Sequence, residues 1–136
     1  MVVLLAVGSA SWACTGHTGS VWFCSSTSAC SFTFRLSSMS DGATVYVNSQ
    51  GFPTSGTGYT IRYRQGQDAA DNCKDSTSTL GTATTGDVSG VGRTNYGWVG
   101  VAVTAPTAAG SNNYELCATT GTPIADASTE TNFTVT

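Results

Sequence analysis

Charge is what this sequence most conspicuously lacks. Asp, Glu, Lys and Arg make up 10% of its 136 residues, against roughly 25% in an average globular protein. Cations are the scarcer sign, with five Lys plus Arg and a formal net charge of -3. Arg62 and Arg64 alone come close to a cluster. Nucleic acid binding needs grouped positive charge to displace counterions, so that function class is excluded. Histidine is nearly absent too. His17 stands alone in Gly16-His17-Thr18-Gly19, and no GxSxG elbow accompanies it. A nucleophile needs a base beside it, so His17 reads as a loop histidine and the chain as a non-enzyme without catalytic residues or cofactor. The cysteines form no CxxC pair, which removes the paired N/S ligands a zinc site requires. No apolar run approaches the roughly 20 residues that cross a bilayer as a helix.

What fills the space is Ser, Thr and Gly, interleaved with 40% hydrophobic residues. Regular interleaving of this kind argues against disorder. Phe32, Phe34 and Leu36 alternate with Thr33, Arg35 and Ser37, and Val45 and Val47 with Thr44, Tyr46 and Asn48. Tyr59, Ile61 and Tyr63 follow the same rule, as do Val99, Val101 and Val103, then Tyr114 and Leu116, then Phe133 and Val135. Period-two alternation predicts strands with one buried and one wetter face, the antiparallel habit. Turn residues separate the runs at Ser40-Asp41-Gly42, Phe52 to Gly56, Pro106 to Gly110 and Gly121 to Pro123. Thr77 to Thr85 reads as an edge strand, and Gly86 to Val91 as a turn with a short strand. The sum is an all-β antiparallel sandwich of immunoglobulin-like type over 31–136, preceded by an N-terminal extension over 1–30.

Five cysteines in such a chain predict disulfides in an oxidising compartment, hence a secreted, extracellular or cell-surface protein. Cys117 shares parity with Glu115, outside the central core, and is expected to pair with Cys73. Cys14, Cys24 and Cys30 then supply one local pair and one leftover thiol.

Four further features carry functional readings. The stretch Met1 to Ala13 contains the apolar run Val2, Val3, Leu4, Leu5, Ala6, Val7. It reads as the end of a secretory signal, as a first strand of the sandwich, or as a strand that completes a neighbour's sheet. Asp68, Asp71 and Asp75, with Asn72, form an acidic loop that is a weak calcium candidate or simply a solvated face. Trp12, Trp22, Trp98, Tyr46 and Tyr96 are candidates for a sugar-stacking platform, with Tyr46 and Trp98 placed opposite the core valines by parity. Asn132-Phe133-Thr134 is a glycosylation sequon whose Asn132 points away from the core, so a glycan is a candidate partner.

The run Ser40-Asp41-Gly42-Ala43-Thr44-Val45-Tyr46-Val47, followed by Gly51-Phe52-Pro53 and Gly58-Tyr59-Thr60-Ile61, resembles the opening of immunoglobulin-like repeats on bacterial and archaeal surface proteins. Tyr114-Glu115-Leu116 and Asn132 to Thr136 are similar to the last two strands of such repeats. The Ser-Asp-Gly opening also resembles the neocarzinostatin family of secreted chromophore-carrying apoproteins. That family carries a second disulfide late in the chain, where Cys117 stands alone.

The expectation is a structural subunit of an extracellular filament or surface assembly, a homopolymer joined by insertion of Val2, Val3, Leu4, Leu5 and Val7 into a neighbouring copy. The alternative is a secreted carrier or carbohydrate-binding module.

Overall fold

The computed structural model describes residues 18–66, 78–107, 112–121, 124 and 126–136. Alternating β-branched and aromatic residues become strands, as pleated half-buried surfaces require. In chain order these are β1 (Ser20–Cys24), β2 (Ser38–Met39), β3 (Thr44–Gln50), β4 (Gly58–Gln65), β5 (Ser78–Thr84), β6 (Gly86–Asp87), β7 (Tyr96–Gly97), β8 (Val101–Thr104), β9 (Asn112–Thr120), β10 (Asp126–Ala127) and β11 (Thr131–Val135). The described residues are thus mostly strand, and the fold is all-β. No helix among them is long and apolar enough to cross a membrane.

Two sheets share one core. The smaller runs β1-β3-β8 and the larger β2-β11-β9-β4-β5, with β10 on β9. Pairing is antiparallel throughout except where β11 meets β2 in parallel, Thr134 beside Ser38 and Val135 beside Met39. A separate hairpin joins β6 and β7. Val21, Phe23, Val45, Val47 and Val103 from the small sheet meet Tyr59, Ile61, Leu116, Phe133 and Val135 from the large one. Phe23 lies edge-on to Phe133 at 4.9 Å, and Tyr114 stacks on Phe133 at 5.4 Å. β5, rich in Ser, Thr and Gly, is an edge strand as its composition predicted. Ser20–Cys24, assigned by sequence to the N-terminal extension, pairs with β3 along its whole length.

Three expectations about register are corrected. The alternation over Phe32 to Leu36 is not a strand. Phe32–Phe34 is a single 3-10 turn, with Phe32 41% and Phe34 79% exposed. The chain must pass here from β1 in one sheet to β2 in the other. The Cys24–Cys30 disulfide closes the start of that crossing, with Cα atoms 6.1 Å apart. Trp98 is the second case. It is buried in the core rather than opposite it, stacked on Phe52 at 5.2 Å. The reason is Gly100, whose left-handed backbone resets the alternation, so Trp98 and Val103 both turn inward while Val99 is half-buried. The third is β9, where Glu115 and Thr119 are buried alongside Tyr114 and Leu116, while Cys117 is buried with Ala127 in a small cluster outside the central core, as its parity predicts. β9 is central in its sheet, and both of its faces are covered. Glu115 lies 3.7 Å from the Arg64 guanidinium on the neighbouring strand, and Arg62 Nε donates to Thr119 Oγ1 at 2.8 Å.

Candidate functional site

Two features stand out on the small sheet: a recess on its outer face and an open edge. The recess begins with Trp22. Cross-strand parity sends Val21 and Phe23 inward, so Trp22 points outward beside Asn48. It is nevertheless 1% exposed, because the chain after β1 folds back over it. Its indole Nε1 donates to the Cys30 carbonyl at 2.9 Å, and its ring meets Phe32 edge-on at 5.9 Å. From the other side comes Arg93, delivered by a 3-10 turn over Ser89–Val91 that ends at Gly92 in the left-handed conformation. The Arg93 guanidinium sits 4.9 Å from the Trp22 ring and donates to the Cys30 carbonyl at 2.6 Å and the Trp98 carbonyl at 3.5 Å. Burial lowers its pKa below the ordinary arginine value, by desolvation of the charged form. Between these walls lies a cavity of about 360 Å³, lined chiefly by Trp22, Cys30, Phe32, Gln50, Val91 and Arg93. Phe32 and the 54% exposed Val91 form its apolar rim. Arg35 stays outside, stacked 4.0 Å over Phe32 and donating to the Phe32 carbonyl.

The two edges of the small sheet differ. At β1 the outward carbonyls are occupied: Val21 accepts from Thr131 Oγ1 at 2.6 Å, and Phe23 from the Leu36 amide at 2.8 Å. At β8 they are not. The Ala105 amide donates to the Ala43 carbonyl, which fixes the phase of the ladder. Val103 and Val101 therefore bond to β3, and Ala102 and Thr104 turn their backbone groups outward. β8 ends its sheet, and among the described residues no second strand pairs with it.

The sequence candidates scatter against this geometry. Trp22 lines the recess and Trp98 lies in the core, while Tyr46 and Tyr96 are half-buried on separate elements, so the described aromatics form no common platform. Trp12 and His17 lie outside the described residues, as do Asp68, Asp71, Asn72 and Asp75. So do Val2, Val3, Leu4, Leu5 and Val7. Among the described residues no three His, Cys, Asp or Glu side chains gather as a metal site. Cys24 pairs with Cys30. Cys117 is disulfide-bonded as well, and Cys14 and Cys73 lie outside the described residues. Asn132 is exposed on β11. Arg93 and Gln50 were not singled out by sequence, since a lone arginine in a glycine-rich turn carries no local signal. Comparison with family models, with curated proteins and with solved structures finds no match.

Proposed function

We propose that the chain is an immunoglobulin-like structural subunit of an extracellular assembly, joined to its neighbour by strand addition at β8. The observation that carries this reading is the outward backbone of Ala102 and Thr104, which no described residue pairs, beside a β1 edge that is already occupied. An open edge is a template for another chain. The donor is the apolar segment Val2 to Val7 of a second copy. The sheet order β2-β11-β9-β4-β5 over β1-β3-β8 supports the immunoglobulin-like reading, because its neighbour relations resemble those of such sandwiches, though with fewer strands than the variable type. The Cys24–Cys30 disulfide supports an oxidising, extracellular location. The exposed Asn132 leaves room for a glycan.

The test compares full chain, a variant lacking residues 1–8, and Ala102→Pro. Proline removes an outward N–H without touching the ladder to β3. Electron microscopy and size-exclusion chromatography should show assemblies for the full chain and folded monomers for both variants. Identical assemblies from the truncated chain, or a full chain that stays monomeric, would overturn the proposal.

A further inference from the structure

We infer that the recess between the Cys24–Cys30 loop and the 89–93 turn binds a small carboxylate-bearing molecule, with Arg93 holding the carboxylate and Phe32 and Val91 holding its apolar part. This site is separate from the β8 edge and stands whether or not the chain assembles.

The Arg93 guanidinium is a largely buried cation, the residue 8% exposed, with no counter-charge among the described residues. Asp87, a near acid along the chain, accepts from the Ser89 amide and hydroxyl instead. Taking a guanidinium out of water is unfavourable, and carbonyl contacts and a ring face offset that in part. A guanidinium has five N–H donors in a planar fork. Nη1 and Nη2 each give one to a carbonyl, leaving about three for a ligand. That geometry suits a carboxylate, which takes parallel hydrogen bonds from such a fork. A single cation suits a monoanion better than a phosphate, because Arg35 is engaged with the Phe32 carbonyl and ring outside the cavity.

The rest of the recess sets the ligand's size and shape. About 360 Å³ falls at the small end of ligand cavities, room for one ring with its substituents. Phe32 and Val91 are exposed large apolar residues flanking one cavity, the arrangement that marks a contact surface. Gln50 adds an amide that donates or accepts beside the ring. The wall is held by covalent and hydrogen-bonded ties, since the Cys30 carbonyl receives both Trp22 and Arg93 next to the Cys24–Cys30 bridge.

The experiment is an NMR titration of the full chain with benzoate and glucuronate, and with their uncharged counterparts benzyl alcohol and glucose. The Trp22 indole N–H and the Arg93 Nε–H signals should move saturably with at least one acid. The matching neutral compound should bind about tenfold or more weakly, the equivalent of 1.4 kcal/mol. The acid that binds tells whether an aromatic or a sugar ring occupies the recess. Arg93→Gln should abolish the response. Because Arg93 also ties down the Cys30 carbonyl, Phe32→Ala provides a second variant that leaves those ties intact and should weaken binding. Equal responses to acid and neutral partner, no movement of the Trp22 signal with either acid, or unchanged binding in Phe32→Ala would refute the inference.

Discussion

Replacing Phe133 and Phe34 by alanine, one at a time, separates the observed crossover from the strand that alternation predicts there. Phe133 is 1% exposed and wedged between Phe23 and Tyr114. Removing a buried phenylalanine costs about 3–5 kcal/mol, and two ring partners place this site in the upper half of that range. Phe34 is 79% exposed, so about a fifth of its surface is withdrawn from water. Full burial of such a side chain contributes about 1.5–3 kcal/mol, and a fifth of that is roughly 0.5 kcal/mol. Urea unfolding followed by circular dichroism measures both. The Phe133→Ala midpoint should fall steeply at unchanged slope, with a thermal midpoint lower by roughly 15 °C. Phe34→Ala should be almost indistinguishable from the parent. A loss of about 2 kcal/mol or more at Phe34 would mean that its ring is inside, and that residues 31–36 are a core strand after all.

Glu115→Ala should destabilise by about 3 kcal/mol in the same assay, the low end for a broken buried pair because Arg64 keeps 20% of its side-chain surface. Gly97→Ala should cost about 1–3 kcal/mol, since an added Cβ would overlap the Ser49 backbone carbonyl. Peptide mass mapping should recover Cys24 with Cys30 and Cys117 with Cys73. Converting Cys24 and Cys30 together to serine should lower stability by about 2 kcal/mol, the small value of a short closed loop. The Asp87 carboxylate accepts from the Ser89 hydroxyl and amide, which hold its pKa below the ordinary 3.8. Its contribution is therefore full above that value and is lost as pH falls through the lower folded-state value. Ser89→Ala should raise the Asp87 pKa in an NMR titration.

Alternation was an adequate guide wherever one face of a strand is wet. Val45, Val47, Tyr59, Ile61, Phe133 and Val135 are core residues as parity requires. It failed where the chain changes sheets or resets phase. Phe32 and Phe34 alternate perfectly, but their positions are fixed by a disulfide and a crossing that act at long range. Trp98 was misplaced because parity was carried through Gly100 without allowing for a left-handed residue. Glu115 looked like a solvent residue because sequence does not show that the outer face of β9 is covered, by Arg62 and Arg64 among others. The recess was hidden for a related reason. Trp22 and Arg93 are 71 residues apart (93 − 22) and come together only through the fold of the small sheet and the 89–93 turn.

β11 lies between β9 and β2, near one end of the large sheet, although its residues 131–135 come after every other strand in the chain. A ribosome delivers these segments in order, so β2 and β9 emerge with the slot between them vacant. Until β11 arrives, Phe23 and Tyr114 lack the ring that joins them, and Val21 lacks the hydroxyl of Thr131 on its carbonyl. Because β2 pairs only with β11, until then β9 presents an unpaired edge of the kind that makes incomplete domains prone to misassembly. Closing it falls to the last strand to emerge, so a chain halted before residue 131 keeps the 112–116 half of β9 as an open edge rather than forming a shorter version of the same sheet.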